Sequence, residues 1–475
     1  ATADRDFANG IVAETIDLSS ALQYLVAGSA NVLAIQGLNS SASDSNFLIQ
    51  PELITTSITS TGNVFLTNAT PSALNNTAWY IDEVRDTVFS HKRGFYDAAF
   101  NLTITTSTTD AAIYYTTNNS EPSPSNGTLY TGPITISSTA NTSTSGARVV
   151  RARAFKTNWK PTNVDTHTYV FLADVATPPK VVMATGGGIT TGLAANIPPG
   201  WPTSSANNGG QAFVYGFDSG VRNLYTAAQM RAALTQIPTI SVVTQQNNLT
   251  DPVTGIYVNG IQRGESWERP ASIEMLDISK PGAVLEAGHG EFAENCGLRI
   301  RGGASRQDSS TKHSFRVFFR TAYGKGKLTC RLYGPDGAAE FDTFDLRGSQ
   351  NYSWSQSSTD VNETLCRDPF CRMTLAAMGQ PSTRTRFCHL FLNGLYWGIY
   401  DIHERAENSF GETYIGGNKD NYDVIKCGDR YTMDFKTEAT DGYLNTNPDG
   451  SKAAWRDLWD RSVAHRSAPT NENYF

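Results

Sequence analysis

Residues 297–320 carry the side chains best suited to bind an anion. The stretch reads GLRIRGGASRQDSSTKHSFRVFFR and holds one acid, Asp308, together with six cations: Arg299, Arg301, Arg306, Lys312, Arg316 and Arg320. Extended to residue 331, it has nine bases and one acid, a local charge of 9 − 1 = +8. Guanidinium groups fork onto phosphate oxygens, and backbone N–H groups of a glycine-rich connection add donors. The residue types therefore indicate a phosphate cradle.

Two other interpretations of this run stay open. A strand can carry cations on a solvated face without binding any ligand, which is the ordinary arrangement for charged residues. A nucleic-acid surface would also be basic. The whole chain, however, has 38 basic and 45 acidic residues, a net charge of 38 − 45 = −7, so nucleic acid is not expected as a partner.

Two strands must position these cations. Leu298 and Ile300 alternate with arginines, and Phe315, Val317 and Phe319 alternate with other residues across the loop GGASRQDSST. Because successive side chains of a strand point to opposite faces, this pattern predicts a hairpin with apolar residues inward and cations outward.

A helix and a second hairpin are predicted downstream. Asp368 and Pro369 have the residue types of an N-cap and a first-turn proline, and Gly379 lies where the helix should end. The stretch FCHLFLNGLYWGIYDIHER follows, and its Asn393-Gly394 pair is the favoured type I′ turn. Glu404 comes directly after the second strand of this hairpin.

The composition is typical of a folded, multidomain chain. Its 475 residues suggest about two to four domains, and its hydrophobic content of 39% argues against disorder. No run of about 18 apolar residues occurs, so no membrane span is predicted. Residues 36–77 are rich in Ser, Thr and Asn and nearly free of charge, as in many secreted β-proteins. We therefore expect a secreted or cell-surface location.

The cysteines do not predict a metal site. All six lie in the second half of the chain: Cys296, Cys330, Cys366, Cys371, Cys388 and Cys427. Their spacing contains no CxxC and no His/Cys cluster, so no zinc site is expected. Buried thiols and one or two structural disulfides both stay possible, with fifteen pairings.

The pattern of strands and turns divides the chain into five parts. Residues 1–56 are predicted to be the last strands of a jelly-roll-like β-sandwich, and residues 57–89 a linker. Residues 90–172 have short strands at regular spacing, which predicts an immunoglobulin-type sandwich. Residues 173–236 are a loop-rich connector. Residues 237–475 mix strands and helices and are predicted to form an α+β domain.

Part of the 90–172 sandwich resembles a known module. The phrases IYYTTNNSEPSPSNGTLYTGPITI and RVVRARAFKTNWKPTNVDTHTY are similar to the small β-domain at the C-terminus of chitobiase and β-hexosaminidase proteins. The resemblance implies a spacer or a carbohydrate-associated accessory domain.

The α+β region resembles the spore-coat CotH kinase family. The phrases GLRIRGGASR, TKHSFRVFFR, FDLRGSQNYSW, LCRDPFCRMTLAAMGQ and LFLNGLYWGIYDIHER occur in the order typical of that family. The family has an atypical protein-kinase-like fold and is secreted or surface-associated in many bacteria. The resemblance implies ATP- and Mg²⁺-dependent transfer of phosphate to Ser or Thr of extracellular proteins.

The resemblance also assigns roles to four residues. Lys312 matches the family lysine after RGGAS and is expected to contact nucleotide phosphate, with Arg301 and Arg306 beside the same loop. Glu404 matches the family glutamate after the NG hairpin and is expected to orient the lysine or face the nucleotide. For each residue the alternative is an ion pair on a strand face.

One departure from the family pattern concerns metal binding. The family's metal-binding aspartates lie downstream of the hairpin, where this chain offers only Asp420, Asp423 and Asp429 in a loop. We therefore assign no catalytic and no metal-binding residues. We expect the chain to be a piece of a longer secreted protein, truncated within its kinase-like domain and inactive as given.

Two functions follow from these patterns. The first is a fragment of a secreted CotH-like protein kinase with accessory β-modules and an extracellular protein as substrate. The second is a non-catalytic surface adhesion or carbohydrate-associated structural protein, with a cell-surface polysaccharide as partner. A glycoside hydrolase is not supported, because no spaced pair of acids has a recognisable context.

Overall fold

The structure is a computed structural model of the chain. It describes residues 65–66, 79–138, 146–175, 180–184, 186, 189–191, 197, 200–204, 209–276, 292–335, 337–348, 364–422, 424 and 453–470. The chain divides into two compact units, Ala1–Asn63 and Val64–Phe475. The predicted jelly-roll strands of residues 1–56 lie outside the described residues.

The N-terminal part of the second unit consists of short β-strands. They are β1 Phe65–Leu66, β2 Trp79–Tyr80, β3 Val88–Phe89, β4 Gly94–Phe95, β5 Phe100–Leu102, β6 Ile104–Thr105, β7 Ala112–Thr116, β8 Thr128–Leu129, β9 Ile134–Ile136, β10 Ala147–Phe155 and β11 Asp165–Val170. Five of them form a sheet in the order β4-β11-β10-β7-β8, while β5 pairs with β9 and β3 with β6. Their buried side chains share one core, which includes Leu102, Ile104, Val150 and Tyr169. The β-rich character predicted here is confirmed, and the immunoglobulin-type arrangement stays a prediction.

The segment that follows contributes a small sheet to the next core. Its elements are α1 Leu172–Val175, β12 Val181–Met183, β13 Ile189–Thr191, β14 Phe213–Tyr215, α2 Ser219–Arg222 and α3 Ala227–Ala233. The strands are ordered β13-β12-β14. Met183, Phe213 and Tyr215 are buried in the same hydrophobic core as the strands that come later in the chain. Part of the predicted connector is therefore packed against the following domain.

The C-terminal part is built on a closed β-barrel. Its elements are β15 Thr239–Val243, α4 Gln246–Thr250, β16 Arg269–Leu276, β17 Phe292–Arg301, β18 Ser314–Phe318, β19 Leu328–Thr329, β20 Glu340–Phe341, β21 Thr343–Arg347, α5 Arg367–Ala377, β22 Thr385–Leu392, β23 Leu395–His403, α6 Asn408–Tyr414 and α7 Ala453–Ser467. Single 3₁₀ turns occur at Glu265–Trp267, Ala304–Arg306 and Lys419–Asn421. The barrel order is β15-β16-β17-β18-β21-β23-β22, and parallel pairing of β22 with β15 closes it.

The two predicted hairpins are present. Strands β17 and β18 are antiparallel, with Leu298 opposite Val317 and Ile300 opposite Phe315, and all four side chains are buried in the barrel core. Asn393 and Gly394 join β22 to β23 with φ angles of 51° and 78°. A type I′ turn needs positive φ at both central residues, so this turn sets the register of the pair.

The helix predicted to begin at Asp368 differs in its first residue. Helix α5 begins at Arg367, with Cys366 at the N-cap position and no side-chain cap. The prediction that Asp368 is the N-cap was wrong, because its carboxylate is bound by Arg347 and Arg372 instead. Among the described helices the longest, α7, has 15 residues. Within the described ranges no helix is long and apolar enough to cross a membrane.

The described cysteines are free thiols. Cys296, Cys330 and Cys388 are buried, while Cys366 and Cys371 are exposed on or next to α5. Burial raises the pKa of both Cys296 and Cys388. Because the thiolate is the reactive form, the three buried thiols are expected to be inert packing residues.

A buried polar network joins the β-rich part to the barrel. Glu274 of β16 is 1% exposed and accepts hydrogen bonds from the Thr168 hydroxyl at 2.5 Å and from its backbone N–H at 3.3 Å. Arg93 Nε lies 3.0 Å from Glu274 Oε1. Thr166 also donates to Ser272 at 2.9 Å. Buried polar groups are stable only when paired, so this network fixes how the two parts pack.

We expect Glu274→Ala to destabilise the protein strongly. The change leaves Arg93 without its carboxylate and removes an acid near the buried Arg151, and breaking a buried pair in this way costs about 3–5 kcal/mol. Urea unfolding measures the effect. Glu83→Ala is the matched control because it removes an exposed pair with Lys160, for which about 0–1 kcal/mol is expected. Equal effects of the two changes would contradict the importance of the network.

Candidate functional site

Several cations of residues 297–331 are paired with acids that lie elsewhere in the chain. Arg299 Nη2 lies 2.7 Å from Glu268 Oε2, and Arg320 Nε lies 3.1 Å from the other oxygen of the same carboxylate. Lys325 Nζ lies 2.6 Å from Glu294 Oε1. Much of the positive charge of this run is therefore neutralised in space, whereas the described hydrogen bonds of Lys312 and Arg306 are to backbone oxygens.

A second acid, Asp345 of β21, binds three arginines. Its carboxylate is 1% exposed and lies 2.7 Å from Arg301, 3.1 Å from Arg316 and 3.2 Å from Arg405. Burial opposes ionisation, but the guanidiniums of Arg301 and Arg316 outweigh it and hold the pKa of Asp345 below its ordinary value. Arg301, predicted to flank a nucleotide loop, is thus part of an ion-pair cluster.

Lys312 lies just before β18, and its half-buried side chain places the ammonium group against protein atoms. Nζ donates to the backbone oxygen of Val214 at 2.9 Å and lies 3.6 Å from the centroid of the Trp397 ring. Burial lowers the pKa of Lys312 from 10.5 to about 7, because a desolvated ammonium is less stable than a neutral amine. The described contacts hold the group between an indole face and a carbonyl.

Arg306 has a local structural role in the described contacts. It is 5% exposed, and its guanidinium donates to the backbone oxygens of Gly302 at 2.8 Å, Gly260 at 3.2 Å and Gln262 at 2.8 Å. These bonds tie the loop after β17 to the segment before the Glu265–Trp267 turn.

Glu404 lies at the end of β23, away from the described contacts of Lys312. It accepts hydrogen bonds from the Arg384 backbone N–H at 2.9 Å and from the Tyr414 hydroxyl at 2.5 Å. Burial raises the pKa of Glu404. Among the described residues, Glu404 and Lys312 share no partner. A nucleotide contact by Lys312, Arg301, Arg306 or Glu404 stays a prediction.

A groove lies on the Glu404 side of the barrel. It has a volume of about 960 Å³ and is bounded by α5, residues 379–386, residues 332–334 and α6. Three guanidiniums line it, from Arg372, Arg384 and Arg386, together with the aromatic rings of Tyr333, Phe410 and Tyr414. The guanidinium of Arg384 lies 4.2 Å from the centroid of the Tyr414 ring. Cations beside aromatic faces suit a ligand that has both a planar ring and negative charge.

Two carboxylates and an imidazole meet beside this groove. Asp401 and His403 alternate on β23, and Asp368 reaches them from the first turn of α5. One donor atom from each residue lies within 4.8 Å of the others, a set that could hold a metal ion. This set was not predicted from the sequence. The Asp-x-His spacing on a strand was a signal, but Asp368 lies 401 − 368 = 33 residues upstream.

Comparisons with known families agree with the resemblance drawn from the sequence. Residues 298–467 match the family model described as CotH kinase protein, and residues 102–169 match the family model described as Fn3 associated. Among curated proteins none matches the chain significantly. The predicted resemblance to the CotH family, with a β-domain in front, is confirmed.

We expect the pH profile of stability to change in Lys312→Met. The folded-state pKa of about 7 lies below the unfolded value of 10.5, so the folded state binds fewer protons between these values. Stability of the wild type therefore rises with pH in this window, by at most about 1.4 kcal/mol per unit. At pH values below the folded pKa, the buried charge lowers the free energy of unfolding of the wild type most. The stability advantage of Lys312→Met over the wild type is therefore largest there.

Urea unfolding at several pH values between 6 and 10 measures this difference. Lys180→Met is the control, because Lys180 is a surface lysine paired with Asp218. Parallel pH profiles for Lys312→Met and the wild type would show that Lys312 keeps its ordinary pKa and that its ammonium is not enclosed.

Proposed function

The chain contains a CotH kinase domain behind a β-domain, and on this basis we propose that it is part of an ATP- and Mg²⁺-dependent protein kinase. The substrate class is Ser or Thr of extracellular or surface proteins, and the location is secreted or at the cell surface. The family match over residues 298–467 carries the proposal. The β-domain serves as an accessory module, with the immunoglobulin-type fold expected from its strand pattern.

We place the nucleotide in the groove beside α5. Phosphoryl transfer depends on positive charge around the triphosphate, which Arg384 and Arg386 supply at the groove, while Arg372 in the same lining is already paired with Asp368. Tyr414 and Phe410 offer ring faces to a base. Lys312 is a weaker candidate for the phosphate contact, because its ammonium would first have to leave the Trp397 ring and the Val214 carbonyl.

Glu404 is then a positioning residue for the groove. Its carboxylate holds the Tyr414 hydroxyl and the backbone of Arg384, and it lies 3.8 Å from the Arg384 guanidinium. The aromatic wall and the central cation are thereby fixed relative to each other. In this proposal Glu404 orients Arg384 and Tyr414 instead of Lys312, the residue that the family resemblance names.

The described acids beside the groove do not fit Mg²⁺ as an ion held by protein alone. Mg²⁺ prefers an octahedral shell of oxygen atoms and usually binds through one or two carboxylates plus substrate phosphates. Asp368 is already bound by Arg347 and Arg372, and Glu404 by Tyr414 and a backbone amide. In the proposal, Mg²⁺ comes with the triphosphate and neutralises its charge.

We expect Arg384→Ala to weaken binding of Mg-ATP by about tenfold or more. A hydrogen bond to a charged group contributes about 1.5–3 kcal/mol, and each 1.4 kcal/mol is a factor of ten. Isothermal titration calorimetry with a non-hydrolysable ATP analogue and Mg²⁺ measures the affinity. Arg231→Ala is the control. Arg231 is an exposed arginine on α3, and it is paired with Asp97.

The same titration on Lys312→Ala distinguishes two positions for the phosphates, one beside Arg384 in the groove and one beside Lys312. Loss of binding in Lys312→Ala with full binding in Arg384→Ala would move the phosphates to Lys312. Absence of saturable binding by the wild type would contradict the nucleotide proposal altogether.

A second candidate is a non-catalytic protein that binds a surface polysaccharide. Trp79 favours it, because this indole, on β2 ahead of the β-domain, is 57% exposed. Under this alternative the full chain is retained on insoluble polysaccharide, and Trp79→Ala abolishes retention while leaving Mg-ATP binding unchanged. Under the kinase proposal a co-sedimentation assay shows equal, background retention of both proteins.

A further inference from the structure

We infer that Asp368, Asp401 and His403 form a site for one divalent transition-metal ion, of the class that accepts both oxygen and imidazole nitrogen ligands. Mn²⁺ and Zn²⁺ are members of this class and serve as the probe ions. The inference does not rest on the kinase proposal, because the three residues lie beside the groove and need no nucleotide.

The fold brings the three donors together from two elements. Asp401 and His403 are two residues apart on β23, so their side chains share the outer face of the barrel. Asp368 is held over this face by Arg347 of β21 at 2.6 Å. The donor atoms lie within 4.8 Å of one another. Metal–ligand bonds of about 2.0–2.2 Å place donors about 3–4 Å apart, so closing around an ion takes about 1 Å of movement.

Two of the donors are buried without a hydrogen bond. Among the described residues, no group is hydrogen-bonded to Asp401 Oδ2 or to His403 Nε2. Asp401 is 1% exposed and His403 is 6% exposed. The nearest acid, Asp368 Oδ2, lies 3.5 Å from His403 Nε2, at the far limit for a hydrogen bond. A buried polar atom left unpaired costs about 1–3 kcal/mol. One cation between the three residues would satisfy both atoms.

The second oxygen of Asp401 is already oriented. The Thr385 hydroxyl, on the neighbouring strand β22, donates to Asp401 Oδ1. Outer partners of this kind fix the direction of a ligand carboxylate and are typical of metal sites. Asp401 therefore keeps one oxygen, Oδ2, without a hydrogen bond in the cluster that it forms with His403 and Asp368.

The surrounding charges determine which ion is suitable. Arg347 and Arg372 both bind Asp368 Oδ2, so two guanidiniums oppose any cation at this place. Mg²⁺ and Ca²⁺ are held mainly by charge and by full oxygen shells, and a set in which one of two carboxylates is neutralised in this way holds them poorly. A transition metal gains a bond to the imidazole nitrogen that compensates in part for the repulsion.

Metal titration of the full-length, tag-free chain tests the site without nucleotide. After treatment with a chelator, Mn²⁺ is titrated and the free ion is followed by electron paramagnetic resonance, and Zn²⁺ is titrated against a chromophoric chelator. We expect one ion per chain. Asp401→Asn and His403→Gln should each lower the affinity more than about tenfold, the smallest loss typical for removal of only an outer partner of a ligand.

A matched control variant and a second measurement distinguish loss of the metal site from misfolding of a variant. Asp420→Asn changes an exposed acid and should bind the ion like the wild type. The ion should raise the unfolding temperature of the wild type and of Asp420→Asn, but not that of Asp401→Asn or His403→Gln. Each variant is compared by circular dichroism before titration.

Two results would overturn the inference. One is a folded wild type that takes up neither Mn²⁺ nor Zn²⁺ in a 1:1 ratio. The other is equal affinity in the wild type, Asp401→Asn and His403→Gln, which would place any bound ion elsewhere. Both leave the Mg-ATP titration untouched, so failure of the metal site and failure of the nucleotide proposal are distinguishable.

Discussion

The buried carboxylate of Asp345 is the interaction on which the outer face of the barrel depends. Its three guanidinium partners come from different places: Arg301 at the end of β17, Arg316 within β18 and Arg405 after β23. Buried charges are tolerated only when paired, because desolvation of a lone guanidinium costs several kcal/mol. This one acid therefore allows arginines from three segments to be largely buried on one side of the sheet.

The same register row connects this cluster to the groove. Asp345 is opposite Arg316 on one side and opposite His403 on the other, and His403 is opposite Thr385. Directly opposed residues share a face and lie in contact distance. The ion pairs, the Asp368–Asp401–His403 set and the groove thus occupy neighbouring positions on one face. The position of each depends on the strand pairing that the Asp345 cluster supports.

The sequence predicts the local elements of this region well and its long-range pairings poorly. Alternation within β17 and β18 and the Asn393-Gly394 turn are determined by neighbours along the chain, so they are readable without a structure. The partner of Arg299, Glu268, lies 299 − 268 = 31 residues away, and Lys312 is enclosed by Val214, 312 − 214 = 98 residues away. Such contacts follow from the packing of segments that are distant in the sequence, which no local pattern encodes.

This difference changes what the run of cations signifies. A count of charges along a strand does not identify an anion site, because each guanidinium can be neutralised by an acid from a distant segment, as Glu268 and Asp345 do here. An anion site is better indicated by a guanidinium that is not closely paired with a carboxylate. Arg384 lies 3.8 Å from its acid and on the ring of Tyr414, with its side chain 33% exposed to the groove side of the barrel. An anion would complete its pairing at little cost, whereas binding at Asp345 would have to displace a carboxylate that is already fully coordinated.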